Sequence, residues 1–395
     1  MEPPARPSGR SDFHIAIICA LPREADAVYL LCDHFYIDDD IDFGKDPGDS
    51  NMYTIATMGR HNVVIVTLPN MGTTSATSAA ATLRISYPNI RIALIVGICG
   101  GVPVTEQKEL YLGDVAISTL VVQYDSGRQY PDKFIVRSTI EDSNGRPTKE
   151  VRSILALLET EHNRKRLLVQ ATAQLKKLQE KAINEDYEAN YQEPPNGSDV
   201  CYPANFLHKH HISDQGVCVC IQGDKVCPRA TEDSCDTCGC HEAAGDLCRI
   251  AAPARPLKVI LGRIGSANMV MKSGEDRDRL ARDHKLVAFE MEASGVWDEI
   301  PSLTVKGICD YADSHKNKAW QHYAAAQAAA VARALVERLH IQDPPAAALS
   351  TQGSREKSRL NNGQHAPGSR TMSNMTIGSG GFVNQGDISG GSWNR

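Results

Sequence analysis

The sequence lacks the features that would place it at once in a membrane-bound, secreted or nucleic-acid-binding class. Its 42 Lys and Arg residues are outnumbered by 48 Asp and Glu residues, which gives a formal net charge of −6. Proteins that bind nucleic acid usually carry a basic surface, so we expect no nucleic-acid partner. No apolar run approaches the roughly 18 residues that a membrane span requires, and we expect no membrane partner. The opening segment MEPPARPSGR has no apolar stretch of the secretory type, so we predict a soluble, cytoplasmic protein.

Cysteine is plentiful but unevenly distributed. Eight of the twelve cysteines lie between Cys201 and Cys248, and the other four are scattered through apolar segments, where a reduced Cys acts as a small core residue. Within the Cys-rich stretch the spacing is Cys-x-Cys from Cys218 and Cys-x2-Cys-x-Cys-His from Cys235. Thiolates at such spacing can bind a structural zinc ion, but the spacing departs from paired C-x2-C units. Disulfide bonds and free thiols are therefore alternatives.

Strand-like and helix-like patterns alternate along most of the chain. Continuous apolar runs predict buried strands, and residues 52–58 and 61–68 flank Gly59-Arg60 as a hairpin. The other predicted strands are 13–20, 91–98, 115–122, 257–264, 287–291 and 303–309. Ala-rich segments predict helices over 74–86 and 318–340, and the charged, Leu-punctuated residues 147–190 fit an amphipathic helix. The alternation predicts an α/β sheet covered by helices on both faces.

Composition predicts how the chain is divided. Residues 1–11 contain Pro, Gly and Arg and are expected to be flexible. Residues 12–341 form one predicted domain with a Cys-rich insertion at about 141–255. The Gly-, Ser- and Asn-rich residues 342–395 are expected to be a disordered tail.

Four short segments carry acidic residues or glycines at predicted strand ends, where α/β sheets collect their ligands. They are ALPREAD (20–26), VGICGG (96–101), FEMEASGVW (289–297) and ICDYADS (308–314). Carboxylates accept hydrogen bonds from vicinal hydroxyls, and a carboxylic acid can protonate a leaving group. Each segment alone also has an ordinary explanation, such as a turn or a helix cap.

Taken together and in this order, the segments resemble the nucleoside phosphorylase superfamily, which includes purine nucleoside phosphorylase, uridine phosphorylase and methylthioadenosine/S-adenosylhomocysteine nucleosidase. The resemblance covers about 13–135 and 257–340 and also includes LGDV (112–115). It implies an α/β fold: a single three-layer domain with a central mixed, partly barrel-like sheet covered by helices. It also implies a site with Glu290, Met291 and Glu292 at the ribose, Asp310 at purine N7, and Cys99, Gly100, Met269 and Val270 at the base.

The members of this superfamily differ in the nucleophile that they use, which is phosphate in phosphorylases and water in nucleosidases. Phosphorylases hold phosphate with an Arg and a Ser in a pattern like RVGSCG, where this chain reads IVGICG. Ile95 and Ile98 stand at those two positions, and apolar side chains cannot hold a dianion. The segment IICALPRE instead resembles the nucleosidase pattern, which implies that Glu24 activates a water molecule.

The resemblance therefore predicts a purine nucleosidase that hydrolyses the N-glycosidic bond of an adenine nucleoside or nucleotide, without a cofactor for catalysis. The alternatives are a phosphate-dependent purine nucleoside phosphorylase and a catalytically silent sensor or interaction module. Superfamily members usually form oligomers, so we expect a homo-oligomer.

The enlarged domain is similar to that of fungal immune-receptor-like proteins, in which nucleoside-phosphorylase-like domains act as effectors. This similarity leaves adenosine, AMP and ATP open as substrates. Basic residues that could meet a triphosphate are HKHH (208–211), Arg263, Lys272 and Lys316. Residues 371–395 combine low charge with Gly, Ser, Asn and isolated apolar residues. They fit either a plain flexible end or a cross-β motif that contacts a receptor partner.

Overall fold

The computed structural model describes residues 4–105, 108–137, 145–211, 218–220, 226–251, 255–315 and 318–341. The predicted tail over 342–395 lies outside the described residues, and so does Lys316. The expectations for the tail therefore stay predictions.

Within the described residues the strands alternate with helices, as the apolar runs predict. The strands are β1 (Ile15–Cys19), β2 (His34–Phe35), β3 (Tyr53–Met58), β4 (His61–Thr67), β5 (Ile92–Gly101), β6 (Val115–Gln123), β7 (Gly127–Gln129), β8 (Phe134–Val136), β9 (Val200–Cys201), β10 (Arg249–Ile250), β11 (Val259–Ser266), β12 (Leu286–Glu290) and β13 (Ser302–Asp310). The helices are α1 (Pro22–Tyr29), α2 (Thr73–Ser86), α3 (Lys149–Glu159), α4 (Glu161–Asn184), α5 (Cys235–Cys238), α6 (Cys240–Ala244), α7 (Gly274–His284), α8 (Ala293–Trp297) and α9 (Gln321–Val336). Short 3-10 turns cover Arg10–Asp12, Tyr36–Asp39, Gly245–Leu247 and Lys318–Trp320.

The main sheet closes on itself at one end. Strand β5 pairs in parallel with β13, β13 pairs antiparallel with β6, and β6 continues through parallel β11 to β12. Strand β12 then pairs antiparallel with β5, so these five strands form a closed barrel. From β5 the sheet runs outward through parallel β1 and β4 to the antiparallel β3 and β2. The predicted mixed, partly barrel-like sheet is confirmed.

Strand β1 shows why the sheet is apolar along its whole length. Its side chains alternate between two faces, and each face is covered by helices. Ile15 and Ile17 join the core beneath α1, α3, α4 and α9, whereas Ala16 and Ile18 join the core beneath α2 and α8. A strand buried on both faces has no polar position, which explains the continuous run that the sequence shows.

The prediction of a single helix over 147–190 is wrong in one respect, because Thr160 divides this stretch into α3 and α4. Thr160 has an extended backbone, ends α3, and accepts a hydrogen bond from the Asn163 N–H at the start of α4. Ser, Thr, Asp and Asn favour this role because a short side-chain oxygen satisfies an otherwise unpaired amide. Both helices pack into the main core, through side chains such as Leu155 and Leu167.

Helix α9 lies unusually close to β13. Its alanines are buried, and a Cβ built on Gly307 would lie 2.0 Å from the Ala324 carbonyl oxygen. Small residues on both elements permit this approach. The predicted helix over 318–340 begins as a 3-10 turn and is α-helical over Gln321–Val336. Among the described helices, none is long and apolar enough to cross a membrane.

Candidate active site

A cavity of about 230 Å³ lies at the ends of the central strands. Because β1, β5 and β13 are parallel, the segments that follow them meet at one edge of the sheet. All nine residues that the sequence analysis assigns to a site line this cavity: Glu24, Cys99, Gly100, Met269, Val270, Glu290, Met291, Glu292 and Asp310. The structure therefore brings together residues from five separate segments, while the role of each stays a prediction.

Glu24 occupies the third position of helix α1 and turns back toward the strand ends. Its Oε2 accepts hydrogen bonds from the backbone N–H groups of Ala20 (2.8 Å) and Leu21 (2.9 Å). Its Oε1 accepts one from the N–H of Ile98 (2.7 Å). The side chain is buried, and burial raises the pKa of Glu24 against the opposing effect of Lys306. A carboxylate held by three amides and shielded from bulk water is arranged to act on a molecule inside the cavity.

Gly97 is required by the position of Glu24. A Cβ on residue 97 would lie only 2.1 Å from Glu24 Oε1, so the carboxylate has to move if that carbon is present. We expect Gly97→Ala to lower the free energy of unfolding by about 1–3 kcal/mol, the usual cost of overpacking a core. Denaturant unfolding measures this loss, and Gly9→Ala is the control, since nothing lies within 4 Å of its added carbon. Equal stability of the two variants would contradict the close contact.

A buried lysine that the sequence analysis did not select lies behind the cavity. Lys306 projects from the middle of β13, and its Nζ donates to Glu292 Oε2 at 2.8 Å and lies 3.8 Å from Glu290 Oε2. Burial alone would lower the pKa of Lys306, but the carboxylates of Glu292, Glu24 and Glu290 raise it well above its usual range. Lys306 is therefore a permanent cation among three acidic residues. The signal in the sequence is a single charged residue within the apolar run LTVKGIC.

The two glutamates of the FEMEASGVW segment differ in their partners. Glu290 uses both oxygens to accept backbone N–H groups of Glu292 and Ala293, which fixes the turn into α8. Glu292 accepts from Gly72 N–H at 3.3 Å and from Lys306, and keeps further acceptor capacity toward the cavity. Burial raises the pKa of Glu290 to about 7, with Lys306 opposing and Glu292 reinforcing the shift. Glu292 is the better placed of the two to receive hydroxyl groups.

Asp310 is the last residue of β13 and lines the same cavity. Its Oδ1 accepts the N–H of Ala312 at 2.9 Å, and the thiol of Cys309 donates to Oδ2 at 3.5 Å. Ala312 has a left-handed backbone with φ of 52°, a conformation that non-glycine residues rarely adopt. Gly100 leaves room for this turn, since a Cβ there would lie 2.9 Å from Asp310 Oδ1. The tight turn therefore fixes the carboxyl at the cavity wall.

The remaining wall is mostly apolar and aromatic. Tyr124 packs edge-on against Phe289 with ring centroids 5.4 Å apart, and its hydroxyl donates to the Met269 carbonyl oxygen at 3.3 Å. Met269 and Val270 are about half exposed and lie at the cavity surface. Such a slot suits a flat, weakly polar ring.

No Arg, Lys or His lines the cavity within the part of the chain that the structure describes. Arg263 lines a different cavity of about 810 Å³, beside α7 and β11, and Lys272 is exposed. His208 and His210 lie among the cysteines of the insertion. The described basic residues expected to meet a triphosphate are therefore elsewhere. Of the two isoleucines in IVGICG, Ile98 lines the cavity and Ile95 is buried in the core beneath α2.

The Cys-rich stretch contains two groups of side chains that could hold a metal ion. One group is His210, Cys218, Cys220 and Cys227, and the other is His208, Cys235 and Cys240. Neither group lines the cavity of Glu24 and Asp310. The insertion thus brings together metal-ligand residue types apart from the candidate active site.

Comparison with known proteins agrees with the sequence resemblance. The model of the phosphorylase superfamily matches residues 14–176, which include Glu24 and the glycine-rich strand end. A nucleotide-binding leucine-rich repeat (NLR)-like protein of Hyaloscypha variabilis is 31% identical over 339 residues. That match covers 84% of this chain but only 30% of the relative, so the chain spans less than a third of that protein.

Solved structures with a similar arrangement include two enzymes of Helicobacter pylori. One is a futalosine hydrolase, at 14% identity and a TM-score of 0.46, with 83% of this chain and 99% of that chain covered. The other is a 5'-methylthioadenosine/S-adenosyl homocysteine nucleosidase, at 16% identity and a TM-score of 0.45, with 83% and 100% covered. The predicted resemblance to the phosphorylase superfamily is confirmed by the family-model match over residues 14–176, and the segments that carry the resemblance line one cavity.

Proposed function

We propose that the cavity hydrolyses the N-glycosidic bond of a purine nucleoside or nucleotide whose base is adenine. The observation that carries this proposal is that Glu24, Glu292 and Asp310 line the same cavity. Two carboxyl groups on opposite sides of a bond can serve one as base and one as acid. The apolar slot beside Phe289 suits the purine ring.

The proposed reaction needs no cofactor. Glu24 takes a proton from a water molecule, and the water oxygen forms a bond to C1′ of the ribose. The bond from C1′ to N9 breaks, its electron pair goes to the base, and Asp310 donates a proton at N7. Glu292 accepts hydrogen bonds from the ribose hydroxyls, which holds C1′ between the two groups. Free adenine and the ribose product leave the cavity.

Hydrolysis is favoured over phosphorolysis by the lining of the cavity. A phosphate dianion requires cationic or hydroxyl partners, and Ile98 offers neither. The described cavity wall contains no Arg, Lys or His, and the nearby Lys306 is engaged by Glu292. A water molecule needs only the Glu24 carboxylate.

The identity of the 5′ substituent distinguishes adenosine from AMP and ATP. The described wall offers the 5′ group Met71 and Gln321, and Gln321 accepts a hydrogen bond from the Arg23 guanidinium. Arg23 contacts a residue of that wall and is therefore the cation that we propose for a phosphate. The NLR-like description of the Hyaloscypha relative supports an effector role in an immunity-like receptor, with a homo-oligomer as the working form.

Product analysis tests the proposal directly. Purified protein is incubated with adenosine, AMP, ATP, inosine and uridine, with and without inorganic phosphate, and the products are separated by chromatography. We expect adenine and free ribose, or ribose phosphate from a nucleotide, at a rate that phosphate does not change. Ribose 1-phosphate as the product would establish a phosphorylase, and the absence of any cleavage would favour the silent module.

Replacing Asp310 by asparagine should leave the fold and ligand binding almost unchanged but slow turnover by ~10²-fold or more, the usual scale for losing a general acid. The amide keeps the size of the side chain and the acceptor for the Ala312 N–H, but it cannot donate the proton that the leaving base requires. The rate of adenine release measures the effect, and the exposed Asp298→Asn is the control. Full activity of the Asp310 variant would remove this residue from the mechanism.

A further inference from the structure

Four side chains of the Cys-rich stretch have the spacing of a tetrahedral metal site. His210 Nδ1 lies 3.4 Å from Cys218 Sγ and 3.6 Å from Cys227 Sγ, and the two sulfurs are 3.8 Å apart. The Sγ atom of Cys220 completes the group, in which all ligand atoms lie within 4.8 Å of one another. Zinc bound at about 2.3 Å from sulfur and about 2.0 Å from nitrogen places tetrahedral ligands about 3.5–3.8 Å apart. A disulfide would instead require about 2.05 Å between sulfurs.

The contacts around this group are those of metal ligands. His210 Nε2, on the far side of the ring, lies 2.9 Å from the Asp233 carboxylate. Histidines that bind metals usually donate their other ring N–H to a carboxylate or carbonyl, which fixes the ring and its tautomer. The backbone N–H of Cys227 donates to Cys220 Sγ at 3.2 Å, and that of Ala230 donates to Cys227 Sγ at 3.4 Å.

The second group repeats this arrangement. His208 Nδ1 lies 3.3 Å from Cys240 Sγ and 3.6 Å from Cys235 Sγ. His208 Nε2 lies 3.0 Å from the carbonyl oxygen of Asp233. Asp233 therefore supports both histidines, one through its side chain and one through its backbone. Three ligands leave one position of a tetrahedron to be filled.

His315 is the candidate for the fourth ligand, although it lies outside the group whose ligand atoms are all within 4.8 Å of one another. It is buried, and neither of its ring nitrogens has a hydrogen-bond partner among the described residues. Burying an imidazole without a polar partner costs free energy, and binding a metal ion would avoid this cost. Its ring centroid lies 5.5 Å from that of His208, and two imidazoles on one tetrahedral zinc have centroids about 5 Å apart. Its ring stacks on Tyr202 at 3.9 Å, and Nδ1 lies 3.7 Å from Asp313 Oδ1.

We propose that the Cys-rich stretch binds two structural zinc ions. The first is held by His210, Cys218, Cys220 and Cys227. The second is held by His208, Cys235, Cys240 and His315.

The second zinc joins the insertion to the turn that carries Asp310. His315 is five residues beyond Asp310, and Ser314 Oγ accepts the backbone N–H of His208 at 3.0 Å. Earlier in the same turn, the Tyr311 hydroxyl donates to Asp199 at 2.6 Å. A zinc bound by His208 of the insertion and His315 of the turn would hold these two segments together. Under the proposed function, its loss lowers turnover by misplacing Asp310, whereas zinc content is independent of activity.

Metal analysis of the full chain tests the proposal. Protein purified without added metal and washed with a mild chelator should contain two zinc ions per chain. A colorimetric chelator combined with a thiol-modifying reagent should release two equivalents of zinc from the wild-type protein. This measurement does not depend on whether any variant folds. Denatured, unreduced protein should also titrate as twelve free thiols. Metal-free protein, or fewer than twelve thiols, would overturn the proposal in favour of disulfides or unbound cysteines.

Variants assign the two sites separately. Cys218→Ser and Cys235→Ser should each reduce the content to one zinc, and His315→Ala should weaken the second site by about 100-fold or more in a chelator competition. Cys248→Ser is the matched control, since Cys248 lies in the same stretch but belongs to neither group, and it should keep two zinc ions. Loss of one zinc from the Cys248 variant with retention in the His315 variant would refute the assignment of His315.

Discussion

Replacing Glu24 by glutamine is expected to reduce hydrolysis by ~10³-fold or more while leaving nucleoside binding nearly intact. The amide has the size of the carboxylate but cannot take a proton from water, and general bases contribute roughly 10²–10⁴-fold to rate. The substrate contacts proposed for Glu292 and Phe289 are untouched by the change. Adenine release measures the rate, and calorimetry with a non-hydrolysable adenosine analogue measures nucleoside binding.

The exposed Glu275→Gln is the control for this change, since it makes the same substitution far from the cavity. In the wild type, burial raises the pKa of Glu24 above its ordinary value of 4.5. A general base works in its deprotonated form, so activity should fall on acidification at a higher pH than an exposed glutamate would give. A Glu24→Gln variant that hydrolyses adenosine at the wild-type rate would exclude Glu24 as the base.

Replacing Lys306 by methionine should have the largest effect on stability. The change leaves Glu24, Glu290 and Glu292 buried without their common cation. Removing one partner of a buried ion pair costs about 3–5 kcal/mol, because an uncompensated charge stays in the interior. Denaturant unfolding measures the loss, with Lys258→Met, a half-buried lysine outside the cluster, as the control.

The loss of stability in the Lys306→Met variant should depend on pH in a defined direction. Burial already raises the pKa values of Glu24 and Glu290, and without the opposing ammonium these two pKa values rise further. Groups whose folded pKa is raised contribute stability at low pH and lose it as the pH rises through the folded pKa. The variant should therefore be least stable in alkaline solution and recover on acidification. A loss of stability that did not change with pH would contradict the electrostatic explanation.

Several features were predictable from the sequence because they depend on short stretches of chain. Strand β1 reads as a continuous apolar run, and residues 53–67 form the hairpin that the pattern around Gly59 predicts. The segment containing Glu24 and the one containing Asp310 each follow a buried strand, so their common edge follows from parallel pairing. The prediction of one continuous helix over 147–190 was wrong because Thr160 caps both α3 and α4. The hydrophobic periodicity averaged over the whole stretch does not reveal such a single break.

The sequence by itself thus determined the α/β class, the family resemblance and nine of the residues that line the cavity. Only the tertiary structure decided how those residues are held. Gly97 is necessary because Glu24, which is distant in sequence, occupies the space of its missing Cβ. Lys306 is a central cation because the barrel closes through β12 and β5 and brings the two glutamates of FEMEASGVW against β13. The cysteines sort into two groups because Asp233 and the histidines of HKHH fold between them. Contacts between segments far apart in the chain leave no periodic signal in the sequence. The path of the whole backbone decides which residues meet, and the residues adjacent in sequence do not.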